Sequence, residues 1–307
     1  MTAAKEKIRV IFNPIANKGK GREAEARLRP IAAEHGQVEW FQTEYRQHAV
    51  ELAEQAGAAG CRRVVAVGGD GTVHEVVNGL MRLPAETRPA VGLAPIGSGN
   101  DLSGGLGIPD DPAEALRHAF HAPLRLLDLG LLTDETGRQE YWLNTLGIGF
   151  DAVINIRSRR LNRLRGFWMY LTAALQSILL NYTTYRGHFE MDGQAWQDDL
   201  LMTVLANGRR EGGGFIVAPQ ASLTDGVGDY IAIRRIGVPR MFLTLAHFIR
   251  GSAGRLAHAR TGTFRRLKLT SESPLFIHTD GEIFTGLDST LHRLEVEMLP
   301  GAIQVAG

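Results

Sequence analysis

The run Gly68-Gly69-Asp70-Gly71-Thr72 combines three glycines in four positions with a carboxylate and a hydroxyl. Glycines tolerate positive φ and let a ligand come close to the backbone. Apolar residues Val64 to Val67 precede the run, and Val73, Val76, Val77 and Leu80 follow it at helical spacing. The pattern predicts a buried strand, a tight turn and a helix start, whose unpaired N–H groups suit an anion. The corresponding chemistry is a phosphate cradle. Asp70 puts negative charge where phosphates should sit, which makes sense if a divalent cation lies between them. The predicted ligand is therefore a metal-bound nucleotide. A second loop, Ile15 to Gly21, brings Lys18, Lys20 and Arg22 to another helix start. It lacks the GxxxxGK[ST] pattern, so it is not a Walker A loop.

These loops need strands and helices to hold them. Residues 7–12 and Val38 to Phe41, ending at Thr43, read as strands, with helices over Ala24 to Ala33 and His48 to Ala58. A further strand, Ala90 to Ala94, runs into Pro95-Ile96-Gly97-Ser98-Gly99-Asn100-Asp101-Leu102, and Asp111-Pro112 opens a short helix. Alternating strands and helices predict a parallel sheet with right-handed crossovers and a ligand beyond the carboxyl ends of the strands. From Leu124 the character changes. Strand-like runs at 126–130, 141–150, 185–191, 200–206, 228–234, 263–270, 274–279 and 291–298 predict a β-rich second domain. One long helical stretch, 152–182, and a shorter helix at 239–250 interrupt it. The expected division is an α/β domain over 1–128 and a β-rich domain over 129–298, with 299–307 returning to the first.

A chain of 307 residues is long enough for two cores. The net charge of +1 gives no general reason to expect nucleic acid as a partner. The single cysteine, Cys61, excludes an internal disulfide framework and fits a reducing compartment. No signal-peptide apolar region precedes Ile8, and the most apolar window, Gly166 to Leu180, is shorter than the ~20 residues a spanning helix needs. The expected location is the cytoplasm.

The order of motifs along nearly the whole chain resembles the bacterial diacylglycerol kinase and lipid kinase family, which is related to sphingosine kinases and more distantly to NAD kinases. The motifs are Asn13-Pro14 with its loop, Gly68 to Thr72 with Glu75 and Asn78, Pro95 to Leu102, Asp128, Gly147-Ile148-Gly149-Phe150-Asp151, Thr224-Asp225-Gly226 and Asp280-Gly281-Glu282. The resemblance implies an N-terminal parallel-sheet nucleotide domain and a C-terminal β-sandwich domain, with ATP and Mg²⁺ as cofactors and a lipid as substrate. It implies that the nucleotide is held by Asn13, Pro14, Ile15, Ala16 and Asn17, by Thr43, by Gly68, Gly69, Asp70, Gly71, Thr72, Val73 and His74, and by Ser98 and Asp101. It implies a magnesium ion on the Asp225 carboxylate and the Ser222 and Val227 carbonyls, linked through water to Asp70, Asp101 and Asp128. Glu282 is the implied proton acceptor, with Asp280 beside it. Four positions depart from the family: Ala16 and Asn17 replace the usual Ser-Gly, Ser98 replaces threonine, and His74 stands where asparagine is common.

Arg157, Arg159, Arg160, Arg163 and Arg165 crowd together just before the aromatic run Phe167-Trp168-Met169-Tyr170. Basic residues beside aromatics suit an interfacial segment, so peripheral contact with an anionic membrane at its inner face is expected at 157–171. The resulting expectation is a kinase that phosphorylates a lipid hydroxyl, diacylglycerol or a related glycerolipid, in phospholipid metabolism. An NAD kinase-like enzyme and a nucleotide-binding regulatory protein are the alternatives. Which lipid is used, and whether the chain forms a homodimer, stay open.

Overall fold

The computed structural model describes residues 6–19, 21–161 and 163–307, so Lys20 lies outside the described residues. The chain divides into two units, residues up to Leu127 with Gly301–Gly307, and Asp128–Pro300. The first runs β1 (Ile8–Phe12), α1 (Ala16–Gly19), α2 (Gly21–His35), β2 (Val38–Gln42), α3 (His48–Ala58), β3 (Arg63–Gly68), α4 (Asp70–Leu80), β4 (Ala90–Pro95), α5 (Asp101–Leu106) and α6 (Pro112–His121). The strands lie in the order β4-β3-β1-β2, all parallel. β1, β3 and β4 are buried along their whole length and apolar apart from Arg9 and Arg63, as the central strands of a parallel sheet covered on both faces must be. Strand order reverses between β1 and β3, so the loops that follow these two strands flank a topological switch point, where α/β sheets place their ligands. Asp111 caps α6 by accepting from the N–H groups of Ala113 and Glu114, with Pro112 in the first turn.

The second unit runs β5 (Leu124–Asp134, its first residues in unit one), β6 (Gln139–Trp142), β7 (Thr145–Gly149), α7 (Phe150–Ser158), α8 (Gly166–Leu180), β8 (Tyr185–Met191), β9 (Gln194–Ala206), β10 (Arg210–Glu211), β11 (Phe215–Ile216), β12 (Gly228–Arg234), α9 (Val238–Ile249), β13 (Ala259–Phe264), β14 (Arg266–Ser271), β15 (Ile277–Thr279), β16 (Glu282–Thr285) and β17 (Arg293–Ala306). Successive residues of its strands serve opposite cores. In β12, Tyr230 and Ala232 join the core around Trp142 and Phe189, while Ile231 and Ile233 join the core beneath α7, α8 and α9. β17 pairs with β14 at Arg293–Glu297, and farther along Val305 pairs with Val91 of β4, in unit one.

Three predicted elements are divided in the structure. The helix expected over 152–182 is two helices: Arg160 and Leu161 turn back onto Arg157 and Ser158, and Gly166 restarts the helix from a φ of +50°. The strand expected over 141–150 breaks where the Asp280 carboxylate takes the N–H groups of Leu143, Asn144 and Thr145, and Phe150 already belongs to α7. The strand expected over 263–270 breaks at Arg265, because the Asp192 carboxylate accepts from the N–H groups of Arg265 and Arg266.

Candidate active site

In the first unit, the loops after β1, β3 and β4 lock onto one another. Asn13 donates its amide to Thr72 Oγ1 at 3.0 Å and accepts from the Ile15 N–H, which fixes the loop Asn13 to Asn17 against the start of α4. Ile15 is exposed at the loop's crest and Ala16 is buried below it. The backbone at Gly68 and at Gly97 passes so close to its neighbours that no side chain fits: a Cβ on Gly68 would collide with Thr72, and one on Gly97 would collide with Gly69. Ile96 N–H bonds the Gly68 carbonyl at 2.8 Å. Asp70 opens α4, accepts the Asn100 N–H at 2.7 Å, and shares with Asp101 the space above Gly99. Thr72, Val73 and His74 are buried, Thr43 sits half-exposed just past β2, and Ser98 is exposed at its loop tip. Beside these loops lies a hollow of about 780 Å³ including its mouth, walled in part by Asn17, Arg27, Gly97 and Asn100. The side-chain oxygens of Asn17 and Asn100 are buried there and find no partner among the described residues. Glu75 caps α3 through the N–H groups of Gln47 and Ala49.

Gly68→Ala should therefore lower nucleotide affinity at least ~10-fold while the far-ultraviolet circular dichroism stays that of the wild type, since the overpacking falls at the last residue of β3, against Thr72 in the first turn of α4, and not in the body of the sheet. Isothermal titration with ATP measures this, and unchanged affinity would remove the loop from the site.

In the second unit, Asp280 and Gly281 form a two-residue hairpin between β15 and β16, both with positive φ (52° and 81°), the geometry that favours Asp-Gly. The Asp280 carboxylate is occupied by three backbone N–H groups at 2.7 to 3.2 Å, so it braces the hairpin against residues 143–145. Glu282 leaves the hairpin with its side chain about a third exposed, and Arg159 donates to both its carboxylate and the Gly281 carbonyl, each at 2.8 Å.

A second carboxylate turn involves Asp128, which is buried, accepts the Gly226 N–H at 2.7 Å and donates its own N–H to the Leu223 carbonyl. The turn 222–227 is thus folded onto the Asp128 carboxylate. Asp225 is exposed beside it and accepts the Val227 N–H. Burial, then the Asp225 charge, raises the Asp229 carboxyl above the usual carboxylate range. Among the described residues no backbone N–H claims the Ser222 or Val227 carbonyl. Crowded carboxylates and uncommitted carbonyls are oxygen donors of the kind a hard cation takes, so these residues fit Mg²⁺.

Beneath the hairpin lies a cluster with no assigned role in the sequence reading. His278, fully buried, places Nε2 2.9 Å from Asp151 and 3.0 Å from Glu211. Burial alone would lower the imidazole, but the Glu211 charge and the Asp151 hydrogen bond raise it to about 10. Burial and then the Asp151 charge raise Glu211. One proton beyond those of the isolated side chains at neutral pH is therefore held jointly by the three groups. Gly281 N–H donates to His278 Nδ1 at 3.3 Å, which favours the arrangement with that proton on Glu211 and the ring proton on Nε2. A Cβ on Gly147 would collide with both Asp151 and His278. A glycine inside a strand marks such a close approach, and it is the sequence signal that could have found the cluster.

The family model of the diacylglycerol kinase catalytic domain matches residues 7–132, and that of the YegS C-terminal NAD kinase β-sandwich-like domain matches residues 144–307, more than half the chain. The chain belongs to the bacterial diacylglycerol kinase and lipid kinase family. A relative described as a probable lipid kinase YegS-like protein, from Chromohalobacter salexigens, is 42% identical over 186 residues, spanning 60% of this chain and 58% of the relative. Another of the same description, from Cronobacter sakazakii, is 29% identical over 272 residues, or 87% of this chain and 84% of the relative. Two solved structures from Bacillus anthracis str. Sterne, one described as a diacylglycerol kinase, share the fold with TM-scores of 0.79 and 0.73 at 24% and 22% identity; each match covers 98% of this chain and 96% of the other. The lipid kinase family thus accounts for both units, an α/β catalytic domain and a β-sandwich-like domain.

Two further features of this family member escaped the sequence reading. Arg159, expected at a membrane, is bound to the hairpin of Glu282, and Arg157 bonds Asn181 and Gln176. An apolar pocket of about 630 Å³ including its mouth lies between α8, α9 and the sheet, lined among others by Tyr170, Ile178, Met241 and Phe248, with Asp151 and Glu211 as its acidic lining. Tyr170 OH would stand 3.3 Å from a Cβ on Gly281, so the pocket wall reaches the hairpin.

Proposed function

We propose that the protein transfers the γ-phosphate of ATP to a hydroxyl of a membrane-derived glycerolipid, diacylglycerol or a close relative, at the inner face of the membrane. The observation that carries this reading is the apolar pocket running up to the Asp280-Gly281-Glu282 hairpin. A pocket with apolar walls and a few polar groups is the form that holds an acyl chain and leaves its polar end beside Glu282. Glu282 takes the proton from the lipid hydroxyl as that oxygen forms its bond to the γ-phosphorus and the bond to ADP breaks. Arg159 holds the carboxylate until the proton arrives. Asn13 to Asn17, Thr43, Gly68 to His74, Ser98 and Asp101 bind the nucleotide, through backbone N–H groups and the start of α4. The buried oxygens of Asn17 and Asn100 can accept from the exocyclic amine of an adenine base. Asp225, with the Ser222 and Val227 carbonyls, would hold Mg²⁺, which when bound offsets phosphate charge; Asp128 keeps their turn in shape.

The direct test is transfer of labelled γ-phosphate from Mg·ATP to diacylglycerol, phosphatidylglycerol, sphingosine, ceramide and NAD in parallel. Label in a glycerolipid is expected. Label in NAD alone would replace this reading with an NAD kinase, and bound ATP without any turnover would indicate a regulatory protein. Asp225→Asn should raise the Mg²⁺ concentration for half-maximal rate about 10-fold, because the ion loses its charged ligand; a titration superimposable on the wild type would remove Asp225 from the ion.

A further inference from the structure

A helix on the surface of a globular unit normally turns a polar face outward. α8 does not. Trp168, Leu175 and Leu179 follow one another at helical spacing on its outer side, and Trp168 and Leu179 are 66% and 67% exposed, with Leu180 beyond them at 69%. α9, which packs against α8, repeats the pattern: Met241, Thr244 and Phe248 point inward, while Phe242, Leu243 (65% exposed) and Ile249 face out. The inner faces of the same two helices line the apolar pocket.

The charge around these helices is one-sided. No Asp or Glu occurs from residue 152 to 189 or from 230 to 271, yet these segments carry fifteen of the chain's 34 Lys and Arg residues. Several of those on strands are neutralised by acids elsewhere, as in the pairs Arg234–Asp198, Arg266–Glu297 and Lys268–Glu295. Those flanking α8 and α9 differ: among the described residues Arg160, Arg163, Arg165, Arg240 and Arg250 have no carboxylate partner. In a chain of net charge +1, positive charge without acid is thus gathered at the ends of two helices whose outer faces are apolar.

We infer that the outer faces of α8 and α9 together form a docking surface for an anionic lipid bilayer, so that the pocket between these helices opens into the membrane that supplies its ligand. Apolar side chains enter the boundary between headgroups and acyl chains while the arginines at the helix ends meet anionic headgroups. Arg157 and Arg159 take no part, being bound within the protein. No helix among the described residues is long and apolar enough to cross a membrane, so the attachment is peripheral. A lipid moves from bilayer to pocket without crossing water. The inference rests on the lipid kinase reading only for the identity of the ligand.

The test is flotation of the full chain with phosphatidylcholine vesicles, with and without about a third phosphatidylglycerol, in the absence of ATP. Binding to the anionic vesicles only, weakened by salt, is expected. Leu179→Glu and Leu243→Glu should each reduce it about tenfold or more, and so should the pair Arg163→Glu with Arg240→Glu. None of these residues lines the pocket, so phosphorylation of a short-chain, water-dispersed glycerolipid should stay within about twofold of the wild type. Wild-type binding by all variants would overturn the inference, as would absent binding alongside intact turnover of the short-chain lipid. A wild-type dimer that Leu179→Glu makes monomeric, without vesicle binding, would overturn it too and assign the face to a second copy of the chain. If vesicles are bound and no lipid is phosphorylated, the docking surface stands and the kinase reading fails.

Discussion

Glu282→Gln lowers the rate of phosphoryl transfer about 10²- to 10⁴-fold, the usual contribution of a positioned base, with the KM for ATP close to that of the wild type. Glutamine keeps the size of the side chain and can still accept from Arg159, so the hairpin and its ion-pair partner lose little. What disappears is the ability to take a proton from the attacking hydroxyl. The Asp280 brace sharpens the comparison. Asp280→Asn replaces one of two carboxylate oxygens that serve three N–H groups by an amide, so it disturbs the hairpin itself. Its signature is a loss of activity together with a lower melting temperature. Steady-state kinetics beside thermal melts separate the two roles. An E282Q protein within a few-fold of the wild-type kcat would remove Glu282 from the chemistry.

His278→Leu should destabilise the protein by about 3–5 kcal/mol, because it leaves two buried carboxylates facing each other without the group between them. Glu211→Gln in the same chain should restore a good part of that loss by replacing one of the two facing acids with a neutral amide, and a double-mutant cycle by urea denaturation measures the coupling. The cluster also sets a pH dependence. Unfolded, its histidine titrates near ~6.5 and its two carboxylic acids near ~4, so above ~6.5 the unfolded chain holds no extra proton. Folded, the cluster keeps one up to about 10. A folded value raised above the unfolded one gives stability that is complete below ~6.5 and is lost as pH rises towards about 10, on the order of a few kcal/mol in all. Wild-type stability that is flat across that window would contradict the shared proton.

The fold was legible wherever local pattern and environment agree. The glycine turn, the apolar face of α3 and the cap of α6 follow from the need for close backbone approach, from apolar period and from N-cap chemistry, each carried by residues near one another in the sequence. Helix and strand breaks were not legible, because distant carboxylates make them. Asp280 interrupts a strand more than a hundred residues earlier, and Asp192 interrupts one more than seventy residues later. The Asp128 contact with the 226 turn was likewise invisible, although both partners could be named from the motif order. Residue type misled at Arg159: five arginines beside aromatics look alike in a sequence, and only the fold separates one bound to a carboxylate from those left outward. His278 and Glu211 belong to strands that meet only in three dimensions, and nothing in either neighbourhood announces the other.

The last strand has a consequence for how the chain is made. Val305 supplies the partner for Val91, and Ala302 receives a hydrogen bond from Arg88, so the edge of the first sheet is closed by residues synthesised more than two hundred positions later. During vectorial synthesis β4 must wait, bare-edged, while the whole second unit emerges. The nascent first unit is in that interval an open template for strand addition by any neighbouring chain. Chaperone dependence and aggregation during slow translation should therefore fall on β4.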